Sequence, residues 1–267
     1  MLAGSGLSLA QVAANIGAGG GGGATVGAVH FDGSTQNLIA ESLAGVVDSY
    51  VGSFSVWLNP DDWHQNRAIF IPDTTNFNTE WFGGSGSGPP DFLPSGVGNE
   101  MASFVGGLFR LNADGVPGSI VNGAWQWVAG MFDANHLEGE KIIKLFINGI
   151  DKTGSVQDFG DQFMPGFGGL SFALPDILEN ATFYSGGMAE FWWAPGQFVD
   201  FSDSEVRAKF MSAGKPVDLG ADGSTPTGTA PAVFLSGDAA TFGTNKGTGG
   251  VLTPTGTLTN ASTSPSD

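Results

Sequence analysis

From residue 25 onward, apolar and polar positions alternate with a period of two. In GSFSVWLNP, Phe54, Val56 and Leu58 fall on one side and Ser53, Ser55 and Trp57 on the other, the pattern of a strand with one buried face. The same pattern predicts strands at 26–31, 67–71, 102–111, 125–132, 142–148, 169–174, 187–193 and 232–235. Asn148 and Gly149 between apolar neighbours predict a two-residue type I′ hairpin, because both residues tolerate the positive φ that this turn requires. Short strands separated by turn residues predict an all-β fold, an antiparallel sandwich.

Two stretches switch to helical spacing. Ser8 and Gln11 form an S-x-x-Q capping box, and Leu9, Val12, Ala13 and Ile16 fall at i, i+3, i+4 and i+7 to make one apolar stripe. Two turns of helix are marginal in water, so this stripe needs a surface to pack on, either the body of the protein or a partner. Gly17 stands at the C-cap position, and Gly19, Gly20, Gly21, Gly22 and Gly23 complete a flexible linker spanning roughly 15 Å. Further on, Ser202 and Glu205 predict a second helix, with Val206 and Phe210 on one face and Gly214 at its end, laid across the sandwich edge. Segment 72–99 shows no usable period, and a loop of that length is either functional or disordered. Near the C-terminus, 251–259 alternates as a small hairpin would, and ASTSPSD reads as a solvated tail. The expected division is a docking peptide and linker at 1–24, a sandwich at 25–240, and a hairpin and tail at 241–267.

Composition narrows the partners. With 9 Lys+Arg against 26 Asp+Glu the formal charge is −17, and a chain so poor in cations cannot displace the counterions of nucleic acid. Neither nucleic acid nor an anionic membrane is an expected partner, and no apolar run approaches the ~18 residues of a membrane span. The N-terminus lacks the basic start of a secretory signal, Arg67 being the first cation, so export by the general secretory route is not expected. Cysteine is absent, which excludes disulfides and thiolate metal sites and leaves the fold to its core and partners.

Enzymatic motifs are sought and not found. Glu190, in MAEFWW, is the one carboxylate inside a predicted strand, and a single acid cannot supply both nucleophile and acid/base for glycoside hydrolysis. Glu138 and Glu140 share a face if extended but read as a solvated turn. His30, His64 and His136 show no zinc spacing, and His30 reads as a half-exposed strand residue. Gly17, Gly19 and Gly22 satisfy G-x-G-x-x-G, but the strand before and helix after that the motif needs are reversed here. No enzyme activity is expected. Trp63, Trp81, Phe82 and Phe92 fall in or beside predicted loops, where aromatics stack on sugar rings, line an interface or anchor the core.

WQWVAGMFD, then KLFINGIDKTG, then GGMAEFWWAPGQFVDFSDSEVRAKF resembles in order and spacing the laminin-G-like members of the concanavalin A-like jelly rolls, over about residues 25–215. The resemblance implies a jelly-roll sandwich, to which the residues add one short edge helix and an N-terminal tether. The E-x-D-x-x-E strand of the glucanases in that superfamily does not occur. Many laminin-G-like domains carry a rim calcium site, and Asn59, Asp61 and Asp62 in NPDDWHQN, or Asp222 in GADGST, offer oxygen ligands, although turn formation explains both clusters equally well. No other cofactor is expected.

The flanks, a glycine tract before AVHFDGST and KPVDLGADGSTPTGTAPAVFLSGDAATFGTNKGTGG after the second helix, resemble laminin-G-like proteins encoded among the structural genes of tailed phages and prophages. That resemblance implies a non-enzymatic virion component, such as a capsid decoration, head fibre or tail-associated protein. Its expected partners are other virion proteins and further copies of itself, with Leu9, Val12, Ala13 and Ile16 as the docking face. The alternative is an adhesin that holds a host glycan at the 72–99 loop.

Overall fold

A computed structural model describes residues 24–40, 43–47, 49, 51–61, 67–70, 79–83, 101–105, 109–112, 120–133, 142–153, 156–158, 172–174 and 182–267. The expected docking helix and the glycine linker to Gly23 lie outside these residues.

Strand β14 (Ser185–Pro195) is the spine of the larger sheet. That sheet runs β10 (Ile150–Asp151), β9 (Ile142–Ile147), β8 (Gln126–Asp133), β3 (Val51–Pro60), β14, β1 (Val29–Asp32) and β19 (Thr259–Asn260), every neighbouring pair antiparallel. One edge of β14 is given wholly to β3. The other is shared: β1 pairs with Ser185–Met188, and β17 (Val233–Leu235) pairs with Phe191–Trp193. The change of partner falls at Glu190. There the register against β3 shifts, so that Glu190 and Phe191 stand opposite the single residue Val56, and Glu190 takes φ +48°. This is a β-bulge, and it resets the alternation of the strand. Met188, Phe191 and Trp193 face the inner core, whereas Ala189, Trp192 and Ala194 face outward.

A second sheet runs β11 (Val156–Asp158), β7 (Phe109–Asn112), β6 (Met101–Val105), β5 (Thr79–Gly83), β4 (Arg67–Phe70) and β13 (Thr182–Phe183), antiparallel except for the β4–β13 pair. Ile69 of β4 joins the inner core with Val29, Phe31, Val56, Val128 and Leu145 of the larger sheet. A three-stranded sheet, β12 (Phe172–Leu174), β2 (Asn37–Ala40) and β18 (Thr253–Thr255), adds Leu38 and Ala40 to the same core. The fold is the all-β antiparallel sandwich that the period-two pattern predicts, and its INGI turn is the expected hairpin, with Asn148 at φ +50° and Gly149 at φ +78° joining β9 to β10.

Four expectations are corrected. Strand β3 buries both faces, not one: Ser53, Ser55 and Trp57 are as buried as Phe54, Val56 and Leu58. The outward face is covered by an aromatic layer in which Phe201 packs on Trp127 at 5.6 Å and on Phe210 at 5.2 Å, and Phe210 packs on Trp192 at 5.3 Å. The two serines tolerate this because they are satisfied: Ser55 Oγ accepts from Trp127 Nε1 at 2.8 Å and Ser53 Oγ accepts from the Val199 amide at 2.9 Å.

The helix is a single turn, α1 (Ser204–Arg207), capped by Asp203, which accepts from the Glu205 amide, and not by Ser202. Val206 and Phe210 pack over the outward face of the larger sheet, not across an edge. Gly214, with Ala213 at φ +52°, forms the turn of a hairpin between β15 (Met211–Ser212) and β16 (Lys215–Pro216) instead of a helix cap. The 251–259 stretch is no hairpin, because β18 pairs with β2 and β19 pairs with β1. Finally, the C-terminal residues are not a free tail: Ser262, Thr263 and Asp267 are exposed, but Ser266 Oγ accepts from the Val26 amide at 2.9 Å and donates to Ala24 O, and Pro265 is buried.

Gly186, at φ +139°, shows how tightly β14 and β3 meet, since a Cβ there would stand 2.4 Å from the Asn59 carbonyl oxygen. Gly186→Ala is expected to lower the unfolding free energy by roughly 2–4 kcal/mol through backbone strain and overpacking, measured as a shift in urea midpoint with an unchanged slope.

Candidate functional site: a cleft at the bulge

The shared edge of β14 creates an opening. The chain leaves β17 through Ser236 and Gly237 and enters β1 through Val26 and Gly27, and both paths converge beside Glu190. They pass so closely that a Cβ on Gly27 would lie 2.5 Å from the Gly237 carbonyl carbon. Between them is a cleft of about 420 Å³, with Glu190 lining it together with Val26, Phe234 and Ser236, and with Asp218 and Gly220 also contributing. That volume is within the range of small-molecule sites.

Glu190 is only 7% exposed, and no described residue makes a hydrogen bond to its carboxyl. Lys246 is the nearby cation, but its ammonium is engaged elsewhere: Nζ donates to Ser236 O at 2.8 Å and to Ser236 Oγ, and lies 5.9 Å from the centre of the Phe234 ring. Asp218 is exposed, and its Oδ1 accepts from the Gly220 amide at 2.8 Å. Burial pushes the Glu190 carboxyl up to about 7, Lys246 pulls against that shift and Asp218 adds to it. A strained φ and a carboxyl that no described residue hydrogen-bonds meet in one residue. Such costs concentrate where the backbone serves a ligand.

The sequence-predicted site residues are dispersed. Asn59 and Asp61 do come together at the end of β3, where Asp61 Oδ2 is 2.9 Å from His30 Nε2 and accepts from Ser185 Oγ at 2.7 Å. His30 is thus an Asp-paired strand residue. The trio is not a hydrolytic triad, because the serine bonds to the aspartate and not to the imidazole. Asn59 Oδ1 is buried with no hydrogen-bond partner among the described residues. Asp222 belongs to a different region: its Oδ1 accepts from the Ser224 amide at 3.0 Å, and the Ser224 hydroxyl and then this amide hold its carboxyl below the usual range. The next residue, Gly223, receives the Trp192 indole N–H, about 20 Å along β14 from Gly186, which pairs with the end of β3. Among the described residues no group of three His, Cys, Asp or Glu is placed to hold a metal ion.

Trp81 and Phe82 are strand residues of β5, paired with Ser103 and Ala102, and not loop residues as expected. Trp63, Phe92, Asp62 and the stripe Leu9, Val12, Ala13 and Ile16 lie outside the described residues. The cleft itself was not anticipated. Its one signal in the sequence is a glutamate inside the apolar run GMAEFWW; the approach of Asp218, Ser236 and Lys246 is a tertiary event.

No protein-family model matches the chain, and no curated protein matches its sequence. Among solved structures, the chain is similar to a Bacteroides ovatus protein provisionally described as carbohydrate binding. The TM-score is 0.56 at 16% identity, covering 90% of this chain and 61% of that one. A heptameric SAP-like pentraxin from Limulus polyphemus scores 0.44 at 11% identity, over 63% of this chain and 75% of that one. The CBM40 of the Ruminococcus gnavus IT-sialidase, bound to α2,3-sialyllactose, scores 0.40 at 11% identity over 65% and 92%. The likeness to the Bacteroides ovatus protein concerns the fold alone, a jelly-roll sandwich. It does not bear on the virion role that the flanking sequences imply.

The Glu190 carboxyl gives stability a definite pH dependence. With its folded value raised to about 7 from 4.5, the folded state retains a proton that the unfolded chain has already released. Stability therefore falls as pH rises through that window, by up to about 3 kcal/mol. Glu190→Gln removes this component. The variant is expected to match the parent protein at pH 4.5 and exceed it in thermal midpoint at pH 8, as read by circular dichroism melts across the range.

Proposed function

We propose that this protein is a non-catalytic carbohydrate-binding jelly-roll module that holds a sugar in the Glu190 cleft. The observation that carries this reading is an open cleft of about 420 Å³ lined by a buried carboxyl whose hydrogen-bonding capacity no described residue uses. Sugar hydroxyls are donors in clusters, and a carboxylate accepts up to four hydrogen bonds. A bound hydroxyl would meet the demand that the fold leaves open and would gain the strength of a charge-assisted bond. Phe234, also lining the cleft, supplies the apolar wall that the C–H face of a pyranose needs.

Two features favour binding over hydrolysis. Glycoside hydrolysis needs a pair of carboxyls working across one bond, whereas here Asp218 is solvent-exposed and serves its own turn at Gly220. The likeness to the Bacteroides ovatus protein supports the sandwich as a scaffold, and that protein's description is in keeping with the same class of ligand.

A glycan array probed with the full chain, beside its Glu190→Gly variant, tests the reading. Glycine suits the positive φ at this position, so the variant keeps the fold while losing the carboxyl. At least one sugar class is expected to bind, and the variant is expected to bind it about tenfold more weakly. An array without a binder, or binding that Glu190→Gly leaves unchanged, would overturn it.

A further inference from the structure

The cleft does more than offer a hydrogen-bond acceptor. Its second carboxylate, Asp218, lines the same opening, and the chain as a whole carries a formal charge of −17. Lys246, the cation nearby, donates to the Ser236 carbonyl and hydroxyl and lies against Phe234, so it contributes field but no hydrogen bond to Glu190. Glu190, a nine-tenths buried residue whose carboxyl no described residue hydrogen-bonds, therefore lines an opening that it shares with the Asp218 carboxylate and the field of Lys246.

We infer that the group this cleft takes is a ligand ammonium, supplied by a sugar bearing a free amine. The inference rests on the reading that the cleft binds sugar. Coulomb's law decides among sugar classes. An acidic sugar would set its negative charge beside Asp218 and oppose ionisation of Glu190, so it is disfavoured in a partly desolvated site. A neutral sugar can donate to Glu190 but brings no charge to pair with its carboxylate once it ionises. An ammonium both donates hydrogen bonds and cancels charge, which is the condition under which a buried carboxylate is stable.

Calorimetric titration of the full chain at pH 7 tests this with three oligosaccharides of equal length: a glucosamine trimer, its N-acetylated counterpart and a glucose trimer. The free-amine trimer is expected to bind at least tenfold more tightly than either, and Glu190→Gln is expected to erase that preference. Repeating the titration in two buffers of different ionisation enthalpy is expected to show proton release, as Glu190 gives up its proton to meet the ammonium. Asp218→Asn, at an exposed position, serves as the second variant and is expected to reduce the preference several-fold without loss of fold. Equal binding of free-amine and acetylated trimers would overturn the ammonium assignment while leaving a sugar site in place. No binding by any of the three would overturn both. Ethanolamine competing as strongly as the amino sugar would retain the ammonium contact and overturn the sugar.

Discussion

One constraint organises this molecule: two chain segments must share a single edge of β14. The strand is fully paired to β3 on one side, but on the other it receives β1 along its first half and β17 along its second. Neither segment can extend past the junction without striking the other, and the clearance is so small that position 27 admits only glycine. The bulge at Glu190 absorbs the mismatch. By inserting one residue against Val56, it returns Phe191 and Trp193 to the inner core and leaves Trp192 facing outward, so the strand fills both cores.

Those two cores explain a composition that is low in charge, with only 13% charged residues. In an ordinary antiparallel sandwich one face of each sheet meets water and is polar. Here the outward face of the larger sheet is itself covered, by Val199, Phe201, Phe210 and Leu219 from the segment that follows β14. Burying each such phenylalanine contributes roughly 2–3 kcal/mol. The covering segment also carries Asp218 to the cleft, so the layer that seals the second core helps to assemble the site.

The parts of the fold that were legible are those whose information is local. The strands at 26–31, 125–132 and 142–148 declare themselves by alternation, those at 187–193 and 232–235 by short apolar runs, and INGI by turn chemistry, because side-chain direction along a strand and φ within a turn are set by neighbours in sequence. Ser53 and Ser55 misled for an equally physical reason. A hydroxyl reads as solvent-facing until a partner is known, and theirs are an indole N–H and a backbone N–H lying 72 and 146 residues away. Likewise VLTPTGTLT alternates as a hairpin would, but its two halves serve different sheets. Trp81 and Phe82 stand in or beside a predicted loop because their strand is short and followed by a glycine-rich run, and only its pairing with β4 and β6 makes it a strand.

What the sequence determined by itself was the class: a Cys-free, acidic, all-β chain with strand periods and one I′ hairpin. The tertiary structure alone decided where β14 changes partners, which face its glutamate opens to, and which distant groups surround it. Register between segments far apart in the chain depends on how whole sheets stack, and that is not written in any local window. Glu190 was visible from the start as a lone acid in an apolar strand; its environment, and so its chemistry, came from residues 218, 236 and 246.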